Sequence, residues 1–293
     1  MEAIRIMHPR ASFVVALFGL GLIASAQDRT SAPPPQTTQQ LVNDVIFNEL
    51  RDRQCDSFWQ YRSIRVAGSQ DVVREQVETA QGPIFRVLAD HNKPLDAEDQ
   101  KKEDERIDEL VTRPGAMTRV QQDHMKDEAR MEKVMRAIPR AFVYQYDGPA
   151  TGDEVRLSFR PNPDFTPSTY EERVMHALAG TLVVNQRLKR MVDMKGQMLY
   201  RVDFGYGFLG YVDKGGTFEI RREQVSPTRW KSSLVEVHIE GRVLLFHNVT
   251  KDQREVRTDF RAVPHDISLV AAKQLLDQAA AGRTEARLTP STH

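Results

Sequence analysis

The second half of the chain, from residue 181 to 260, repeats a rhythm of short apolar segments and turn residues. Turn residues recur at Lys195-Gly196, Lys214-Gly215-Gly216, Ser226-Pro227, Glu240-Gly241 and Lys251-Asp252. Between them, apolar side chains alternate with polar ones, as at Val235, Val237 and Ile239. Alternation with a period of two, bounded by glycine or proline, is typical of strands that bury one face. The sequence therefore predicts an antiparallel meander of six strands.

Two earlier parts of the chain also read as strands. Residues 58 to 88 contain alternating segments that predict a meander of roughly three strands. Further on, Phe142–Tyr146 and Arg156–Phe159 predict a pair of short strands. A proline-rich stretch, 160–167, follows them and must be a loop, because proline cannot donate to a strand ladder.

Three segments outside these strands have the spacing of amphipathic helices. Residues 41–54 place Val42, Ile46 and Leu50 on one face at four-residue intervals. A short helix is predicted to begin after Ser168 or Thr169, which can cap its first turn, and to end before Gly180. A last helix is predicted from about residue 268 to 281.

A charged segment, residues 96–138, interrupts the strand pattern and predicts two helices. Pro114-Gly115 separates them, because proline ends a helix and glycine permits a reversal. The first helix is mainly acidic and the second mainly basic. We interpret the segment as a helical hairpin insertion with partly complementary charge, and a charged, partner-binding coiled coil is the alternative.

The N-terminus has the three parts of a secretory signal. Arg5 and Arg10 are basic, residues 11–24 are apolar, and Ala24-Ser25-Ala26 is a small-x-small cleavage pattern. The apolar run is shorter than the roughly 20 residues of a membrane-spanning helix. We therefore expect cleavage after Ala26 and a periplasmic or secreted protein that is not transmembrane once cleaved; an uncleaved anchor is the alternative.

The rest of the chain is predicted to consist of a tether, one folded domain and a tail. Residues 27–40 are rich in proline, threonine and glutamine and predict a disordered tether. Residues 41–281 are expected to form a single domain, and residues 282–293 a disordered tail. This organisation puts all candidate chemistry in one domain.

Charge and cysteine content exclude several classes of protein. The sequence contains 41 basic and 41 acidic residues, so no global attraction to nucleic acid is expected. The single cysteine, Cys55, cannot form an intramolecular disulfide and lies too far from the cleavage site to be a lipoprotein acylation site. We interpret Cys55 as a small, partly buried residue rather than a nucleophile.

Gly205-Tyr206-Gly207-Phe208-Leu209-Gly210 matches G-x-G-x-x-G but is not expected to bind a dinucleotide. That fingerprint requires a helix opening within it, whereas strand-forming residues and a Lys-Gly-Gly turn follow here. We interpret the segment as one long, bent strand. Its aromatic residues pack in the core or line a cavity, and the candidate ligand-binding residues are Phe204, Tyr206, Phe208 and Trp230.

No catalytic residue, metal ligand or cofactor site is predicted. The histidines are scattered among different elements, and His238-Ile239-Glu240 lacks the cysteine pair that zinc deaminases also need. No nucleophile motif is present. A glycosidase-like pair of carboxylates converging in a cleft is compatible with the sequence, although no feature points to one.

Three stretches together carry a resemblance to a known fold. They are Gly82–Leu88 running into Lys93-Pro94-Leu95, Val202–Gly207 with the turn at Asp213–Phe218, and Trp230 followed by Gly241–Phe246. On these residues the chain resembles uncharacterised exported bacterial proteins whose strand order is similar to the LolA/LolB-type lipoprotein carriers. The resemblance covers roughly residues 41–276.

The resemblance implies an α+β fold: a long curved antiparallel sheet, or half-barrel, with helices packed on its concave face. The implied function is non-enzymatic binding or carriage of a lipid, acyl chain or other apolar ligand at the cell envelope. The charged hairpin departs from such carriers, and their gating arginine has no match here. An envelope scaffold that binds a protein partner through the hairpin is the alternative, and a carboxylate-based hydrolase is a third hypothesis.

Overall fold

The computed structural model describes residues 36–54, 58–91, 93–204, 210–243 and 252–288, without the side chains of 54, 242, 243 and 282–288. This part of the chain contains five helices and fourteen strands. The helices are α1 (Thr38–Gln54), α2 (Ala97–Thr112), α3 (Ala116–Ala141), α4 (Tyr170–Met175) and α5 (Leu269–Leu288). The strands are β1 (Phe58–Ala67), β2 (Gln70–Val77), β3 (Ile84–Asp90), β4 (Lys93–Pro94), β5 (Phe142–Tyr146), β6 (Glu154–Pro161), β7 (Leu178–Asn185), β8 (Arg190–Met198), β9 (Val202–Phe204), β10 (Gly210–Val212), β11 (Thr217–Ser226), β12 (Arg229–His238), β13 (Gly241–Val243) and β14 (Asp252–Val263).

Eleven strands form one antiparallel sheet in the order β4-β3-β2-β1-β14-β12-β11-β8-β7-β6-β5. The predicted α+β class and the long antiparallel sheet are confirmed. Strand β1 joins the two halves of the sheet, because Ile64 lies opposite Val73 of β2 on one side and Val256 of β14 on the other. Pairing between the first and last strands of the domain has no local signal in the sequence.

The predicted six-strand meander is only partly correct. Strands β9, β10 and β13 leave the large sheet and form a separate three-stranded sheet in the order β13-β10-β9. The single long strand predicted around the glycine-rich segment is wrong: β9 and β10 are two short strands that pair antiparallel, with Phe204 opposite Gly210. Strand β8 therefore pairs directly with β11.

Helices α1 and α3 cover one face of the sheet at the β5–β8 end. Leu41, Val42, Val45 and Ile46 of α1 pack with the C-terminal part of α3 and with alternate residues of four strands, including Tyr144, Leu157, Leu182 and Met194. Burying each such side chain contributes about 1.5–3 kcal/mol. This cluster is the largest of the described apolar clusters.

Helix α5 covers the β1–β3 end. Ala272 and Leu276 pack with Ile267 on Val77 and Ile84 of the sheet, together with Met117 at the start of α3. Polar contacts add to this packing, since the buried Arg86 of β3 pairs with Asp104 of α2 and Asp277 of α5. Helix α5 therefore stabilises the β2–β3 end of the sheet through apolar packing and an ion pair.

The prediction that the helices share one sheet face is wrong. In β1, Gln60 lies opposite Val77, which is on the face that α5 covers. Arg65 lies opposite Glu255, and the same row of paired residues continues across β12 and β11 to Met194, on the face that α1 covers. Two residues five apart in a regular strand point to opposite faces. Helix α3 contributes to both clusters, with Met117 in one and Met135 in the other.

The charged segment connects the two edges of the sheet. It runs from β4 at one edge to β5 at the other, and Pro114 lies between its helices. Helix α2 also covers the outer edge of β3: Glu103 accepts a hydrogen bond from the Val87 amide (2.7 Å), and Arg106 donates to the Phe85 carbonyl (2.7 Å). Covering an edge in this way blocks pairing with another chain.

The predicted charge complementarity between α2 and α3 does not describe the ion pairs that these helices form. They form within each helix, as between Lys102 and Glu98, or reach other elements, as between Lys273 of α5 and Asp108. Pairs three or four residues apart contribute a few tenths of a kcal/mol each. These charges therefore stabilise separate helices and their contacts with the domain.

Several predicted boundaries are wrong. The loop predicted at 160–167 begins later, because its first two residues pair with β5 at the end of β6. Helix α1 begins at Thr38, within the predicted tether, because Thr37 and Gln40 form reciprocal side-chain bonds to each other's amides (3.1 and 3.0 Å). This is the capping-box arrangement. Helix α5 continues to Leu288, within the predicted tail, because residues 279–288 are rich in alanine and other good helix formers.

Several predictions lie outside the described residues. They are the signal at 1–26, the tether as far as residue 35, Cys55, the candidate residues Tyr206 and Phe208, and the last five residues of the tail.

Candidate functional site

A groove of about 390 Å³ lies between α5 and the end of β14. Leu275, Gln278 and Ala279 line it from α5, where their spacing of three and four residues places them on one helix face. The other wall is formed by Gln60, Arg261, Ala262, Val263 and Pro264. The volume falls within the range of roughly 300–1,000 Å³ that is usual for small-molecule sites.

The groove is mainly apolar, with a few polar groups. Aliphatic and proline side chains form most of its lining, while Gln60, Arg261 and Gln278 supply the polar atoms. Gln60 is already engaged, because its amide donates to Glu75 Oε1 at 2.8 Å. Arg261 and Gln278 are exposed, so they can orient the polar end of a ligand. Apolar walls with few polar groups are typical of binding sites.

A second cavity, of about 510 Å³, lies on the sheet around paired glycines. Gly180 of β7 is directly opposite Gly196 of β8, and the ring of Phe218 occupies the space that a side chain at 196 would need. Charged and polar residues form much of the remaining lining: Thr181, Lys195, Gln197, Thr217, Glu219 and Glu236. This cavity is larger than the groove but less suited to an apolar ligand.

The two described candidate residues from the sequence lie apart from the groove. Phe204 is fully buried in a small cluster with Met198, Val202 and Val212, and its ring meets Tyr170 edge-on at 5.3 Å. Trp230 lies in β12 of the large sheet and is also buried. Neither residue lines either of the two cavities. The structure does not bring them together in one site.

Two carboxylates of α1 converge on a cluster of arginines. Glu49 is fully buried; its Oε2 accepts a hydrogen bond from Arg222, and its Oε1 accepts one from the Met191 amide (3.2 Å). Arg222 also donates to the Trp230 carbonyl (2.7 Å). Burial raises the pKa of Glu49 and lowers that of Arg222, and their mutual contact opposes both shifts.

Asp52, one helical turn further on, completes this cluster. Its Oδ1 accepts a hydrogen bond from Arg229 (2.8 Å), and its Oδ2 lies 3.0 Å from Arg190. Arg190 also donates to the Asn48 carbonyl at 3.0 Å. The cluster thus fixes the C-terminal half of α1 to β8, β11 and β12. Both carboxylates are occupied by arginine partners, which does not favour the acid–base pair of a hydrolase.

The described residues contain no group of three or more histidine, cysteine, aspartate or glutamate side chains that could hold a metal ion. No helix in the same part of the chain has both the length and the apolar character needed to cross a membrane.

Comparison with protein-family models, with curated proteins and with solved structures found no match to this chain.

The residues of the groove were not predicted from local sequence patterns. The helical signal in the sequence identified α5, and the spacing of Leu275, Gln278 and Ala279 already placed them on one face. What that face would meet depends on the pairing of β1 with β14 and on the position of α5 across the sheet. Neither relation follows from local patterns.

Proposed function

We propose that this protein is a non-enzymatic binding protein for a ligand with a long apolar part, and that the ligand lies in the groove beneath α5. The observation that carries the proposal is the mainly apolar groove of about 390 Å³ between α5 and β14. Arg261 and Gln278 lie where they can bind the polar end of the ligand. A lipid or an acyl chain has this chemistry.

Binding without catalysis is supported by the state of the buried carboxylates. Glu49 and Asp52, which converge on one cluster, both have arginine partners within the protein. Glu49 is fully buried, so a substrate has no access to it. A general acid or base must reach the proton that it transfers.

We further propose that the eleven-stranded sheet acts as a half-barrel of the LolA/LolB type, with α2 and α3 as a helical hairpin. The continuous antiparallel order of the strands supports this finer description. The short connection at Arg113-Pro114-Gly115 between the two helices supports the hairpin. Location in the cell envelope is part of the same proposal and depends on the predicted export signal at residues 1–26.

Filling the groove tests the proposal. Replacing Ala279 with phenylalanine places a ring in the groove, so binding of the neutral fluorophore N-phenylnaphthylamine should weaken by roughly tenfold or more, equivalent to about 1.4 kcal/mol. Fluorescence titration of the full chain measures this change. Displacement of the bound fluorophore by a neutral monoacylglycerol should show the same loss.

The matched control is Ala281→Phe, two residues further along the same helix at an exposed position. Its affinity for the fluorophore should equal that of the unmodified protein. The proposal fails if the unmodified protein does not bind the fluorophore, or if both phenylalanine variants bind it equally well.

A further inference from the structure

Three polar residues form a row across β2, β1 and β14, on the sheet face opposite the groove. Ser63 of β1 lies directly between Arg74 of β2 and Arg257 of β14. Residues that face each other across neighbouring antiparallel strands have Cβ atoms about 4.5–5.5 Å apart. The two guanidinium groups therefore flank a serine on one surface of the sheet.

Hydrogen-bonding atoms of this row have no partner in the described part of the protein. The Ser63 hydroxyl is fully buried and unpartnered, and the Nε of Arg74 is also buried without a partner. A buried polar group without a partner costs about 1–3 kcal/mol. An acceptor bound at this row would satisfy both donors.

Positive charge exceeds negative charge at the same place. Glu255 is the carboxylate beside the row, and it contacts Arg257 at 2.9 Å and Arg74 at 4.0 Å. Arg65, directly opposite Glu255, adds a third guanidinium and hydrogen-bonds to neutral Gln253 (3.5 Å). Burial lowers the pKa of Arg74, and Glu255 offsets this effect only in part. Glu78 is a second, more distant carboxylate that helps to raise the pKa of Arg257. Two carboxylates thus face three arginines.

Aromatic rings surround the two flanking arginines. The Arg74 guanidinium lies 5.0 Å from the centre of the Phe85 ring, and that of Arg257 lies 5.5 Å from the centre of the Tyr61 ring. Tyr61 also packs on Phe260, with ring centres 5.4 Å apart. The rings hold the arginines in place and offer apolar surface beside them. Solvent reaches the row from outside, because the Arg257 side chain is 29% exposed.

We infer that Arg74, Ser63 and Arg257 form a binding site for an oxyanion, a carboxylate or a phosphate, carried by a small molecule with an apolar body. The planar guanidinium fork can donate two N–H bonds to two oxygens of a carboxylate or a phosphate. The Ser63 hydroxyl is a further donor to the bound group. The site is on the opposite face of β1 from the groove and does not depend on the function proposed for it.

Calorimetric titration of the full chain with benzoate, phenyl phosphate and inorganic phosphate tests the inference. At least one of them should bind the unmodified protein, and Arg74→Gln and Arg257→Gln should each weaken that binding by about tenfold or more. Binding of benzoate alone supports a carboxylate ligand, and stronger binding of phenyl phosphate than of inorganic phosphate supports a phosphate ester. Equal binding of the two phosphates would overturn the inference that the ligand carries an apolar body.

Two further variants keep the test decisive. Arg254→Gln changes an exposed arginine of β14 that pairs with Glu236 at 3.6 Å on the other sheet face, and it should leave anion affinity unchanged. Ser63→Ala removes only a hydroxyl, so it should retain the fold and still weaken binding. The inference is overturned if none of the three anions binds, or if the Arg74, Arg257 and Ser63 variants bind as well as Arg254→Gln.

Discussion

Replacing Glu49 with leucine should lower the free energy of unfolding by about 3–5 kcal/mol. Glu49 is fully buried and is the close anionic partner of Arg222, whose side chain is only 12% exposed. The substitution leaves that guanidinium buried without its counter-ion. Urea unfolding at neutral pH, monitored by circular dichroism, measures the loss.

The double variant Glu49→Leu with Arg222→Leu is the control. It removes both charges and replaces them with apolar groups, so it should be more stable than Glu49→Leu alone. This order of stabilities distinguishes a buried, uncompensated charge from a simple loss of packing. A loss below about 1 kcal/mol in the single variant, the usual value of a surface ion pair, would show that the pair is not buried as described.

The second large effect is expected at Gly180. A Cβ atom at this position would lie 2.7 Å from Gly196 Cα and 2.8 Å from the Lys195 carbonyl carbon. These are backbone atoms of the neighbouring strand and cannot move without breaking its pairing. We therefore expect Gly180→Ala to destabilise the protein by about 3 kcal/mol, at the upper end of the usual range for overpacking.

Gly68→Ala separates this steric effect from a conformational one. Gly68 has a φ of +58°, in the left-handed region, and no atom lies within 4 Å of the position where its Cβ would be. Its substitution should cost about 1 kcal/mol from backbone strain alone. Both variants can be compared by thermal unfolding. Equal midpoints would show that β7 and β8 do not approach as closely as described.

Local signals predicted most elements of this fold. Asp96 caps α2, accepting a hydrogen bond from the Asp99 amide at 2.9 Å. Thr169 caps α4 in a capping box with Glu172, one of the two caps predicted there. Each of these signals acts over three residues, so the sequence alone is enough to find it.

Contacts that depend on topology could not be predicted. Glu49 and Arg222 are 173 residues apart and meet only because α1 lies across β8 and β11. The groove likewise needs β1 to pair with β14 and α5 to lie on that part of the sheet. The Gly205–Gly210 segment shows the opposite error, because an apparent long strand is divided between β9 and β10.

Native mass spectrometry of the full chain with monoolein, a neutral long-chain lipid, tests whether the groove beneath α5 binds an apolar ligand. A neutral ligand avoids the arginine row on the opposite face of β1. We expect a complex with one lipid for the unmodified protein and for Ala281→Phe, and its loss in Ala279→Phe. No lipid adduct on the unmodified protein, or an equal adduct on Ala279→Phe, would contradict the groove as the binding site.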